Sequence, residues 1–297
     1  LGTQGGLMFR TIALIFIAIV SSPSPLFAQA TPSLPAKIFV SSTGNDANDG
    51  GRATPKRSFQ AAHNAVAAGG NIVVLDTAGY GALTITKSLA VTVPPGVNGF
   101  VTVAGSAVGV TVDAGADGVV ALQGLVVEGG GTSGGTGIRI VTANSVAIDD
   151  CLIRNISTGI RAEATTTART EVHRTTIRQV SFGVMMTTVN LIPFDAKLVD
   201  VVVSNAANYA FYANNQFGST PLSFMYLSRC EASGSSFGLS VSAKTQAVID
   251  ECKFSSNDTA FNKSFDSGTI YTLNNNSIVF NKNYINGSNT LDSIPLR

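Results

Sequence analysis

Ile148-Asp-Asp-Cys-Leu-Ile153 is a six-residue phrase that the chain repeats. It returns at Val172-His-Arg-Thr-Thr-Ile177, Leu198-Val-Asp-Val-Val-Val203, Leu227-Ser-Arg-Cys-Glu-Ala232, Ile249-Asp-Glu-Cys-Lys-Phe254 and, more weakly, Leu273-Asn-Asn-Asn-Ser-Ile278. Successive copies begin 24, 26, 29, 22 and 24 residues apart. A second phrase keeps step with the first: Gly137-Ile138, Gly159-Ile160, Gly183-Val184, Ala210-Phe211, Gly238-Leu239 and Ala260-Phe261. Two phrases locked at a period of roughly 20–30 residues mark a solenoid, because one unit cannot bury its apolar face and a stack can.

Each unit is rich in Gly, Asn, Thr, Ser and β-branched residues and has no helix-period apolar stripe. From Val146 the reading is as follows. Val146 and Ile148 face inward on a short strand, Asp149-Asp150 bend, and Cys151 and Ile153 form a second inward pair. Asn155 to Thr158 then turn, and Ile160 and Ala162 open a third strand. Three short strands and three corners per coil predict an all-β, parallel β-helix solenoid. A leucine-rich repeat would need a Leu-x-x-Leu-x-Leu frame, which is missing. Cys151, Cys230 and Cys252 share one slot, as a ladder of buried thiols would. Cys230 and Cys252 are close enough in the stack for a disulfide, though parallel side chains suit one poorly.

Charged residues are 12% of the chain and the formal net charge is +1. That balance gives no electrostatic reason to expect nucleic acid or an anionic membrane as a partner. Arg10, the apolar run Thr11–Val20 and Ala28-Gln29-Ala30 predict a signal peptide over 1–30, with Leu1–Leu7 upstream of it. Cleavage near Thr31 would leave a single β-helix domain over 31–297. Within it, 37–76 hold an N-terminal cap and first strands, and 83–285 hold the coils. The expected location is secreted, periplasmic or cell-surface, with no stable membrane span after cleavage.

The segment ahead of the coils reads Ile38-Phe-Val40, then Gly44-Asn-Asp46, then Pro55-Lys-Arg-Ser-Phe-Gln-Ala-Ala62, then Gly70-Asn-Ile-Val-Val-Leu75 and Gly79-Tyr80. Phe59, Ala62, His63 and Val66 share one face of a short helix that Gly69 should stop. This order resembles the opening segment of secreted right-handed parallel β-helix proteins of the pectin-lyase-like superfamily. The resemblance extends over nearly all of 31–297 and implies a single-stranded right-handed parallel β-helix with a short N-terminal capping helix. It is specific for fold and unspecific for activity, since the superfamily includes lyases, hydrolases, epimerases and adhesins. Some relatives carry a Cys pair around the loop before the helix; Gly50, Gly51 and Lys56 stand there instead. The phrases of pectate-lyase-like, polygalacturonase-like and alginate-epimerase-like sites (R-x-P-x-x-R; N-T-D, G-H-G and R-I-K; D-P-H) are absent.

Three groups of residues are candidates for function. Asp150, Arg174, Asp200, Arg229 and Glu251 alternate in sign up the coils. They read as a register-fixing ladder, or else Asp149, Asp150, Asp200 and Arg174 read as catalytic machinery. Beside the second phrase, Arg139, Arg161, Met185, Tyr212, Ser240 and Asn262 form an outward row, whose two arginines offer guanidinium for an acidic sugar and whose tyrosine offers an aromatic ring for its face. Two longer corners, 187–195 and 213–221, add Asn190, Asn214, Asn215, Gln216 and Phe217. The Gly44–Gly50 loop could offer oxygens to calcium, yet it lacks the alternating spacing and distal Glu of an EF-hand, and Asn/Asp/Gly turn chemistry accounts for it. No cofactor or metal is therefore expected. The partner expected is a polysaccharide, acidic ones included, bound without clear catalytic motifs. The alternatives are a divergent lyase or hydrolase of uronic-acid polymers, and a structural or adhesive rod.

Overall fold

The computed structural model describes residues 34–131, 134–163, 169–188, 192–215, 222–242, 244–264, 268–287 and 291–293. The signal segment, Asn190, Gln216 and Phe217 lie outside them. Leu34–Arg297 form one compact unit, an all-β parallel solenoid with a single helix among the described residues.

Eleven described strands stack in parallel on face one, among them Ser145–Asp149, Arg169–His173, Asp195–Val199, Ser223–Ser228 and Thr245–Asp250. The phrase is the register itself: Ile148 pairs with Val172, Val172 with Leu198, Leu198 with Leu227 and Leu227 with Ile249. All of these side chains are buried. The last copy is displaced by one residue. Ile249 pairs with Thr272, so the phrase begins there and not at Leu273, and the corner that follows is one residue longer.

The first corner is tighter than a two-residue bend. Asp150, Arg174, Asp200, Arg229 and Glu251 each take a left-handed backbone, with φ of 52°, 43°, 56°, 50° and 52°. One such residue turns the chain from face one to face two. Face two then runs on into face three without the expected Asn155–Thr158 turn. Leu152–Ala162 is one strand, bent at Asn155 (φ 53°) so that Ile156 also points inward. Non-glycine residues hold this conformation at a cost of about 1–2 kcal/mol each. The corner amides recover part of it by bonding to the next coil, as Asp150 N–H does to His173 O at 3.2 Å.

On face three Ile138, Ile160, Val184, Phe211, Leu239 and Phe261 follow one another in register and are fully buried. Each such side chain contributes about 1.5–3 kcal/mol of apolar burial. The small residue before each one is a space requirement. A Cβ on Gly183 would sit 2.4 Å from Ala210 O and 2.6 Å from a methyl of Val203. Cys151, Cys230 and Cys252 are buried free thiols in their shared slot.

Helix α1, Phe59–Ala65, is capped by Ser58, whose hydroxyl accepts from Ala61 N–H at 3.2 Å. It ends at Val66, earlier than Gly69, and buries Phe59, Ala62 and His63. His63 Nε2 accepts Thr86 N–H at 3.1 Å, tying the helix to the first coil. The loop before the helix spends its oxygens internally. Asp46 accepts from Arg57 N–H, Ser58 N–H and Ser58 Oγ, each at 2.8 Å, and Asp49 accepts from Gly51 N–H at 3.0 Å and from Thr54 Oγ1.

Two outcomes follow from this packing. Gly183→Ala is expected to destabilise the chain by about 1–3 kcal/mol, measured by denaturant unfolding; an unchanged midpoint would contradict the close approach. Burial holds the His63 imidazole below its ordinary pKa of 6.5. The unfolded chain therefore binds the proton more readily than the folded one. The contribution of His63 is complete above about pH 6.5 and declines as pH falls toward the depressed folded value. Thermal scans of His63→Gln should show a shallower loss of Tm below that pH than the parent.

Candidate functional site

The corner between faces one and two carries the alternating charges. Asp150 and Arg174 are joined at 3.0 Å, and the same guanidinium also takes Asp149. Arg229 binds Asp200 with both arms of its fork, at 2.7 and 2.9 Å. Hydrogen bonding from Arg229 holds the Asp200 carboxyl below the usual carboxylate range. These groups are partly to half exposed, so each bridge adds little to stability and mainly penalises a shifted register. His173 pairs in register with Asp149, and its Nε2 lies 3.6 Å from Glu171. Glu171 is in turn held by Arg169 at 2.9 Å. Asp149 Oδ1 is buried with no hydrogen-bond partner among the described residues. The corner thus gathers Asp149, Asp150, Arg174 and His173, with Asp200 one coil further on.

Face three carries the second group. Arg139 pairs with Arg161, Arg161 with Met185, Met185 with Tyr212, Tyr212 with Ser240 and Ser240 with Asn262. The row is continuous, but its exposure is not. Arg139 and Arg161 are 45% and 40% exposed, while Ser240 and Asn262 are buried and joined to each other at 3.0 Å.

Neither arginine stands alone. Glu163, whose side chain is 15% exposed, binds Arg139 at 3.0 Å and also binds Arg161. One carboxylate serves two guanidiniums, and the buried Arg161 Nε has no acceptor among the described residues. Arginine spacing alone gave no sign of Glu163, which sits two residues beyond Arg161 at the end of the strand.

Tyr212 belongs to an aromatic cluster that the repeat pattern did not reveal. Tyr209 stacks on Phe182 at 5.9 Å, on Phe237 at 5.1 Å and on Tyr212 at 4.9 Å between ring centroids. Phe182, Tyr209 and Phe237 are register partners at the start of face three, so their rings lie over one another at about strand spacing. A signal was present: each residue stands immediately before the Gly or Ala of the second phrase. Burial raises the Tyr212 phenol above its ordinary pKa, and Ser242 and Asn214 lie within hydrogen-bonding reach of it.

Of the residues expected at the two long corners, Asn214 and Asn215 lie within the described residues. Asn214 is bonded to Ser242. Asn215 is fully buried and accepts from Thr188 Oγ1 at 3.1 Å, so it staples one coil to the next and is not a surface binding group.

No family model matches the sequence, and no curated protein is similar to it. Among solved structures, the native GH136 lacto-N-biosidase from Eubacterium ramulus aligns with a TM-score of 0.50 at 10% identity, over 84% of this chain and 67% of that one. Its selenomethionine derivative aligns with a TM-score of 0.54 over the same shares. A rhamnogalacturonan lyase aligns at 0.49 and 10% identity, over 80% and 66%. At such identity the likeness is one of fold: the chain is a parallel β-helix.

Tyr209→Ala removes three ring contacts and Tyr212→Ala only one. With each aromatic pair contributing about 0.5–1.5 kcal/mol, Tyr209→Ala should lower the unfolding free energy distinctly more than Tyr212→Ala does. Equal losses would show that the stack is not the stabilising element.

Proposed function

We propose that this chain is an exported β-helix protein that binds extracellular polysaccharide along face three, at the row Arg139–Arg161–Met185–Tyr212. The observation that carries the reading is the unequal charge at Glu163. Two guanidiniums, 45% and 40% exposed, share one carboxylate. A uronate carboxyl supplies the missing charge. The aromatic cluster beside it offers ring edges and an outer face to the sugar. Asn190 and Phe217, outside the described residues, are the corner residues proposed to flank the bound chain. Export rests on the 1–30 signal sequence, with a domain over 31–297. Helix α1 acts as the lid on the open N-terminal end of the coil.

A second reading is cleavage of uronic-acid polymers at the first corner, with Asp149, Asp150, Arg174 and Asp200 as machinery. What favours it is Asp149 Oδ1, a carboxylate oxygen beside His173 without a partner among the described residues. Aspartates flanking an arginine and a histidine can hold and move a proton.

Affinity electrophoresis through polygalacturonate and alginate separates the two. The binding reading expects retardation that is lost by about tenfold in Kd in the Arg161→Ala, Tyr212→Ala double variant, with polymer length unchanged. Absence of retardation for the whole panel overturns it. New unsaturated or reducing ends, abolished by Asp149→Asn with folding intact, would establish cleavage instead.

A further inference from the structure

A cleft of about 350 Å³ opens elsewhere on the molecule, at the corner between faces one and two. Every later corner in this position turns on a single left-handed residue, but the one after Thr92 runs through Pro94 and Pro95 before the strand resumes at Gly99. That longer corner overhangs the next coil, whose corner residue is Gly124 with φ 75°. A Cβ on Gly124 would lie 2.6 Å from Val93 O, so the overhang requires glycine there. Val93 N–H reaches across to Gln123 O at 3.0 Å and fixes the two coils together. One coil further on, Asp150 closes the far wall.

The lining sorts by chemistry. Pro94, Pro95, Val126 and Leu152 make aliphatic walls and floor, while Asn98, Gln123 and Asp150 supply the polar groups. The amides of Asn98 and Gln123 have no side-chain hydrogen bond among the described residues. The Asp150 carboxylate is paired with Arg174 at 3.0 Å, a guanidinium it shares with Asp149, so the corner keeps excess negative charge and the remaining lone pairs of Asp150 can still accept. No cation lines the cleft to attract an anion.

We propose that this cleft binds one neutral pyranose unit, with the C–H face on Val126 and Leu152 and the hydroxyls on the amides and Asp150. Its volume lies at the lower end of small-molecule sites, about 300–1,000 Å³, where a single ring fits and an oligomer does not. Amides and a carboxylate satisfy a polyol, which both donates and accepts, and a uronate carboxyl would meet Asp150, whose Arg174 is shared with Asp149, as a like charge. The proposal does not rest on the face-three strip, and the two can fail separately.

The test is NMR titration of the chain from residue 31 onward, following the Asn98 and Gln123 side-chain amides and the Leu152 methyls. The probes are methyl glucoside, N-acetylglucosamine and glucuronate. Saturable shifts with one of the neutral sugars, and weaker or absent shifts with glucuronate, are expected. Asn98→Ala with Gln123→Ala should raise Kd by about tenfold, while retardation in polygalacturonate stays as in the parent. No saturable shift with either neutral sugar, equal or tighter binding of glucuronate, or an unchanged Kd in the double variant would each overturn the proposal. Loss of binding in Arg161→Ala, Tyr212→Ala with the cleft variants unaffected would place the sugar on face three instead.

Discussion

Parallel pairing in register, one strand spacing of about 4.8 Å per coil, is the constraint from which the rest of this molecule follows. Whatever occupies a slot in one coil lies directly over its counterpart in the next, so every slot becomes a column. Columns of Ile, Val, Leu and Phe make a dry interior. Columns of Gly and Ala leave room for neighbouring carbonyls and methyls, as at Gly183. Columns of like charge would repel along their whole length, and alternation at Asp150, Arg174, Asp200 and Arg229 turns that liability into pairing.

The corners are where the constraint is met at a conformational cost. A single residue with positive φ turns the chain from one face to the next most compactly, and the chain places Asp, Arg, Glu, Asn and Gln there as well as Gly. Charged side chains at such a corner project away from the core, which is why the ladder is exposed and individually weak. The same geometry leaves no room for a wide loop unless the coil above yields. At Gly124 it does, and the cleft beneath Pro94 and Pro95 is the result.

Stacking also turns function into a matter of rows. Arg139 and Arg161 are 22 residues apart in the chain and adjacent in space, and Glu163 binds both because it ends the same strand. Phe182, Tyr209 and Phe237 become a ring stack for the same reason. A solenoid presents an extended polymer with a surface of matching repeat, and places single-unit sites only where its regularity breaks.

The two phrases were enough to specify the parallel β-solenoid, its inward residues and the alternating ladder, because a column repeats in sequence whatever repeats in space. The apolar face shared by Phe59, Ala62 and His63 marked the helix as well. Several features were not legible. The bend at Asn155, the one-residue shift at Thr272 and the early end of α1 depend on backbone angles that Asn, Thr and Val do not dictate. Asn215 looked like a surface amide because a long corner suggests exposure, yet Thr188 on the preceding coil draws it inside. Glu163 and the Pro94–Gly124 cleft depend on contacts between coils that no repeated position marks, whereas Tyr209 did carry a mark, its place just before the second phrase.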